Sequence, residues 1–91
     1  MTKLTPAQIR DGLDTLNGWT QKGDAIQKQY SFDDFADAMT FVNRVTALAE
    51  EADHHPDIDI RYNTVTLVLS THSSGGLTKK DITLAQHIEE M

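Results

Sequence analysis

The sequence predicts an α+β domain: a four-stranded antiparallel sheet with three helices packed on one face, in the order α-β-β-α-β-β-α. Three observations predict it. Apolar residues recur at helical spacing in three separate segments. Between them lie two pairs of short alternating runs, each pair joined by a tight turn. Strands and helices come in separated runs rather than in strict alternation, which favours an antiparallel sheet over a parallel one.

The first helix starts at Thr5-Pro6-Ala7-Gln8, where Thr5 can cap, Pro6 suits the first helical position and Gln8 can close a capping box. Ile9, Leu13 and Leu16 form its apolar face, and Asn17-Gly18 ends it. Gly12 weakens this helix by up to about 1 kcal/mol relative to Ala, so it relies on tertiary packing. Trp19–Lys22 and Ala25–Phe32 read as a hairpin around Gly23-Asp24, with Ile26, Tyr30 and Phe32 on one parity and Lys28 interrupting it. Ser31 is the expected cap of the longest helix, with Asp33 and Asp34 favoured by its positive end. Phe35, Met39, Val42, Val45, Leu48 and Ala49 form its stripe, and Pro56 ends it by forcing His55 to be extended.

Asp57–Tyr62 then alternates, Asn63-Thr64 is the expected turn, and Val65, Leu67 and Leu69 share the buried face of the next strand. His72 is expected to end that strand, on the face of Ser70 and Val68. Ser73-Ser74-Gly75-Gly76 reads as a flexible loop. Thr78 and Asp81 have capping-box spacing ahead of a last helix whose stripe is Ile82, Ala85 and Ile88.

The chain has 91 residues, which suits a single domain spanning 1–91. It has no cysteine, so disulfides and thiolate metal sites are excluded. The longest strictly apolar runs, Ala47–Ala49 and Leu67–Leu69, are far too short to span a membrane. No apolar leader follows Met1, and a cytoplasmic protein is expected. The net charge is −6, and Lys79-Lys80 is the one adjacent basic pair, so direct binding to nucleic acid is not expected.

Three of the four histidines, His54, His55 and His72, lie near element boundaries. Alone, a His-His pair after a helix reads as a solvated turn, and His72 as a polar strand end. His87 sits away from the last helix's apolar stripe and reads as exposed. Asp81 reads as a capping residue and Trp19 as core. The histidine spacing matches no standard metal pattern, and no metal is expected. No phosphate-binding glycine loop and no nucleophile elbow is present.

Taken together, Glu50-x-x-x-His54-His55-Pro56, Tyr62 six residues after the proline, His72 ten further on and Asp81 nine beyond form a spaced signature. Tyr62-Asn63-x-Val65, Leu69-Ser70-Thr71-His72 and Gly76-Leu77-Thr78-x-x-Asp81-Ile82 extend it. Asp33-x-Phe35 and Gly18-Trp19 carry it towards the N-terminus. The whole resembles the pterin-4a-carbinolamine dehydratase family, over nearly the full chain and most closely over residues 50–90. Ile58 departs from it, where several relatives carry an aromatic, as does Ser73-Ser74 in the loop.

The resemblance implies dehydration of a 4a-hydroxytetrahydropterin to a quinonoid dihydropterin, recycling the cofactor of aromatic amino-acid hydroxylases, with no cofactor of the enzyme's own. It implies His54 and His72 as an acid–base pair, with His55 binding or orienting the substrate. Glu50 and Asp53 would orient the histidines or bond the pterin. Pro56, Thr71, Ser73 and Ser74 would line the pocket, with Asp81 and Trp19 in support. It also implies a homodimer or homotetramer, for which an exposed sheet edge is a suitable seam. Two other readings are open at this stage. One is a protein-binding module, because some members of the family are dimerisation partners of a homeodomain transcription factor. The other is action on a different pterin, as in molybdopterin metabolism.

Overall fold

The computed structural model describes residues 2–91. Its elements are α1 (Pro6–Asp14), β1 (Thr20–Lys22), β2 (Ala25–Ser31), α2 (Phe35–Ala52), β3 (Asp57–Arg61), β4 (Thr64–Leu69), a short 3-10 turn (His72–Ser74) and α3 (Lys79–Glu89). The four strands form one antiparallel sheet in the order β1-β2-β4-β3. The expected α-β-β-α-β-β-α order is therefore present, with the 3-10 turn inserted before α3.

Strand register explains why the sheet has two unlike faces. Ile26 pairs with Leu69, Lys28 with Leu67 and Tyr30 with Val65, while Ile58 and Ile60 pair with Leu67 and Val65. Those residues share one face. Ile26, Val65, Leu67 and Leu69 are fully buried there against Val42, Val45, Leu84, Ala85 and Ile88 of the helices. The opposite parity carries Gln27, Gln29, Thr66, Asp57 and Asp59, a polar face suited to water. Gly12 has a packing reason: a Cβ there would lie 2.9 Å from Ile82 Cδ1, so any side chain at this position would force Ile82 of α3 to shift.

Several boundaries differ from the sequence expectation. The cap of α2 is Asp34, whose side chain accepts from Asp37 N, because β2 continues through Ser31 and leaves it in the sheet. β1 starts at Thr20, and Trp19 sits just before it, buried in the core. α1 ends at Asp14, capped by Thr15, three residues before the Gly18 stop. The β3–β4 turn is Tyr62-Asn63, not Asn63-Thr64. Arg61 pairs with Thr64, and Tyr62 takes a positive φ of 54° and is 67% exposed. His72 does not end β4. That strand stops at Leu69, and Thr71 bridges Gly76 so that His72 opens the 3-10 turn, closed by left-handed Gly75. The expected flexible loop is thus a hydrogen-bonded turn, with Ser74 N bonded to Thr71 O and Gly75 N to His72 O.

Candidate active site at the C-terminal end of the long helix

The end of α2 is built to throw two histidines off the helix. Asp53 follows the helix in the left-handed conformation, φ 51° and ψ 42°. Its N–H bonds Glu50 O and the His54 N–H bonds Ala49 O, the paired bonds of a Schellman motif. Glycine usually fills that position, and Asp is among the few side chains that tolerate it. The chain therefore reverses at Asp53, and Pro56 keeps it from resuming the helix.

His54 is turned inward and His55 outward. The His54 side chain is 11% exposed, and its Nε2 lies 2.6 Å from Asp81 Oδ1. Asp81 is fully buried at the start of α3. Its other oxygen accepts from Thr71 Oγ1 at 2.8 Å and from Thr78 N at 2.9 Å. The Thr71 and Thr78 hydroxyls also bond each other at 2.8 Å. The carboxylate is acceptor-only, so His54 donates through Nε2–H, and Nδ1 is the ring nitrogen left for another partner. His55 Nε2 bonds Glu50 Oε2 at 2.5 Å on the surface.

A cleft of about 280 Å³ gathers Asp53, His54, His55, Ser70, Thr71, His72, Ser73 and Lys80. It brings together all three signature histidines from three places: the end of α2, the chain just after it and the 3-10 turn after β4. Among the other expected site residues, Asp53, Thr71 and Ser73 line the cleft. Thr71 is buried, and its hydroxyl is committed to Asp81 and Thr78. Glu50 stands outside it as the partner of His55, and Pro56 and Ser74 are not among its lining residues. Asp81 lies behind the wall as the partner of His54. Its capping role and its histidine contact are one arrangement, since the capping-box carboxylate also holds the imidazole. Ser70 and Lys80 are cleft residues that the sequence reading did not single out, although Ser70 stands inside the quoted Leu69–His72 motif and Lys80 beside Asp81. Among the described residues, no group of three or more His, Asp or Glu side chains converges as a metal site.

Trp19 belongs to a different place. It is buried beside Tyr30 and Glu89, at the C-terminal end of α3, and its indole Nε1–H has no acceptor in hydrogen-bonding geometry. There Lys28 Nζ bonds Glu89 Oε1 at 2.8 Å, Glu89 Oε2 at 3.0 Å and Asn17 O at 2.6 Å, and Tyr30 OH donates to Glu89 Oε2 at 2.5 Å. Burial, then the bond to Glu89 and its charge, push the Tyr30 hydroxyl well above its ordinary pKa. Burial works to raise the Glu89 carboxyl, but the bonds from Lys28 and Tyr30 outweigh it and hold the group below its usual value. This cluster was missed, and its signal was Lys28 itself: a lysine on the buried parity of a strand needs a counter-charge. A cleft of about 520 Å³ adjoins it, walled by Phe32, Phe41 and Arg44 among others. That cleft is larger than the histidine cleft, but the charges of its Lys28–Glu89–Tyr30 cluster are already satisfied by one another. It contains no histidine, so the histidine cleft is the better candidate for proton transfer.

The comparisons agree with the signature. Residues 2–91 match the family described as Pterin 4 alpha carbinolamine dehydratase. A protein of Thermomicrobium roseum named "Putative pterin-4-alpha-carbinolamine dehydratase" is 52% identical over 91 residues, covering 100% of this chain and 98% of that one. A protein of the same name from Sulfurisphaera tokodaii is 44% identical, again over 100% of this chain and 98% of its own. The solved structure of a transcriptional coactivator/pterin dehydratase from Brucella melitensis superposes with a TM-score of 0.93 at 34% identity, over 98% of this chain and 97% of that one. A pterin dehydratase-like RuBisCO assembly factor of the alpha-carboxysome has a TM-score of 0.69 at 22% identity, covering 84% of this chain and 90% of its own, and shares the fold. The chain belongs to the pterin-4-alpha-carbinolamine dehydratase family.

Proposed function

We propose that this protein dehydrates a 4a-hydroxytetrahydropterin to the quinonoid dihydropterin, and so returns the cofactor of an aromatic amino-acid hydroxylase to a reducible form. The observation that carries the reading is the convergence of His54, His55 and His72 on one cleft, with His54 tied to a buried carboxylate. In the reaction the C4a–O bond breaks, the N5–H proton leaves and a C4a=N5 double bond forms. One group must protonate the departing hydroxyl and another must take the N5 proton. Histidine can do either near neutral pH.

The hydrogen bonding suggests a division of labour. His54 gives its Nε2–H to Asp81, so its free Nδ1 suits the base that accepts the N5 proton. Asp81 then stabilises the imidazolium that results, as a buried carboxylate does behind a catalytic histidine. His72, on the exposed 3-10 turn, is the acid that protonates the leaving hydroxyl. His55, tied to Glu50, orients the substrate at the mouth. Acid–base catalysis of this kind typically contributes ~10²–10⁴-fold.

The test follows decay of freshly generated 4a-hydroxytetrahydropterin by ultraviolet absorbance, against the rate in buffer alone. Wild type should accelerate it, and His54→Ala and His72→Ala should each return the rate towards background while circular dichroism stays native. A well-folded wild type that gives no acceleration sinks the dehydratase reading and favours a protein-binding role.

A further inference from the structure

A second cleft opens on the other side of His54. It has a volume of about 220 Å³ and is lined by Ala52, His54, Lys79, Lys80, Thr83, Leu84 and His87. His54 and Lys80 line both clefts, so the two share a wall. Its charge is unlike that of the rest of the molecule. The chain has 14 Asp and Glu and a net charge of −6, yet no carboxylate lines this cleft. Two lysines and His87 do, and neither lysine is ion-paired among the described residues.

We infer that this cleft receives the side chain of the pterin, and that it favours an anionic side chain, a phosphate ester or a carboxylate. The inference rests on the pterin reading above and extends it to substrate class. Pterin chemistry supplies the geometry: the side chain leaves the ring at C6, which is bonded to N5, which is bonded to the reacting C4a. With His54 at N5, the side chain must emerge within two bonds of the atom that His54 serves. The basic cleft lies directly beside that histidine. Its volume is that of about seven waters at roughly 30 Å³ each, room for a short hydroxylated chain ending in an anionic group. Leu84, 1% exposed, can pack against the carbons, while Lys79 and Lys80 supply donors for charge-assisted hydrogen bonds. The protein's overall negative charge opposes anionic ligands at long range, so a preference for one requires a local reversal of this kind.

The experiment measures binding, not turnover. Three dihydropterins are titrated against the intact protein by calorimetry: 7,8-dihydrobiopterin with a neutral side chain, 7,8-dihydroneopterin 3′-phosphate and 6-carboxy-7,8-dihydropterin. Wild type should bind at least one anionic ligand about tenfold more tightly than the neutral one, as expected of a pair of solvent-exposed cations. The preference should fade at about 0.5 M salt. Lys79→Gln should reduce it about threefold, and Lys79→Glu should abolish it. A gain with the phosphate alone assigns a phosphate ester, and a gain with the 6-carboxy ligand alone assigns a carboxylate. Equal affinity for all three ligands overturns the inference and leaves the pterin reading standing. A preference that survives Lys79→Glu overturns it too, because the preference then arises elsewhere. Failure of all three to bind removes the pterin reading and this inference with it.

Discussion

Asp81→Asn is the substitution that tests the proton arrangement most directly. The Asp81 carboxylate is fully buried and accepts from His54 Nε2, Thr71 Oγ1 and Thr78 N. Asparagine has nearly the same shape but only one acceptor oxygen. Thr78 N is a fixed backbone donor, so the amide oxygen stays on that side and the NH₂ group turns to His54. The imidazole must then accept at Nε2 and carry its proton on Nδ1, the nitrogen proposed to act as base. Replacing a charge-assisted bond by a neutral one costs the difference between their contributions, ~1–1.5 kcal/mol of stability. A small domain typically has ~5–15 kcal/mol, so the variant should remain folded. The catalytic effect should be larger. A misplaced imidazole proton forfeits the general-base share of the acceleration, ~10²-fold or more. Two measurements check this: kcat/KM for dehydration, and the ¹⁵N shifts of the His54 ring, which report the tautomer without any turnover. An Asn variant that keeps the Nε2–H tautomer and works within twofold of wild type would refute the assignment of His54 as base.

Three further outcomes follow from the same structure. Asp53→Gly removes a side chain from a left-handed position, φ 51°, where an L-residue is strained. The variant should gain up to about 1 kcal/mol on urea denaturation, partly offset by the added flexibility of glycine when unfolded, while dehydration slows because Asp53 lines the cleft. A loss of stability would show that the Asp53 side chain holds the turn. The Glu89 carboxyl has a folded pKa below its unfolded value of 4.5, so its contribution to stability is present above that value and is lost as the pH falls below it. Glu89→Gln should therefore lower the melting temperature at pH 7 and flatten the acid limb of a stability-versus-pH curve. The Tyr30 hydroxyl is raised instead, so Tyr30→Phe should flatten the alkaline limb above pH 10.0. Unchanged limbs in both variants would contradict the cluster's electrostatics.

The elements of the fold were legible because their signals are local. The capping box at Thr5 and Gln8, the capping box at Thr78 and Asp81, and the alternation of Val65, Leu67 and Leu69 each appear in the structure as read. The errors fall where a local signal competes with a tertiary one. Ser31 is a good helix cap in isolation, but its pairing with Thr64 keeps it in the sheet and hands the cap to Asp34. His72 continued the strand's alternation on paper, yet the Thr71–Gly76 bridge turns the chain first. The histidines were legible as a spaced signature. The atoms they use were not: that Asp81 would bind Nε2 of His54 rather than His55 depends on the Asp53 reversal, which no local sequence pattern announces, since glycine is the usual residue there. The basic side cleft was hidden for the same reason. In the sequence Lys79-Lys80 is simply the one adjacent basic pair, and only the packing of α3 against the end of α2 sets it beside His54.

α3 carries a polar anchor at each end, and the two anchors serve different purposes. At its start Asp81 holds His54 and, through Thr71, the chain leaving β4. At its end Glu89 holds Lys28 and Tyr30 of β2. Eight residues separate the two carboxylates in the sequence. At 1.5 Å of rise per residue, that places them about 12 Å apart along the helix. Between them the helix packs Ile82, Leu84, Ala85 and Ile88 into the core, so it behaves as a rigid strut. A change at Glu89 loosens the far end of that strut. It leaves the near end in place, because three bonds to Asp81 and the apolar packing fix it independently. The cost of altering Glu89 should therefore appear in the fraction of molecules folded, not in the turnover of those that are. Asp81 has no such separation, since the bond that seats the helix start is also the bond that sets the His54 proton.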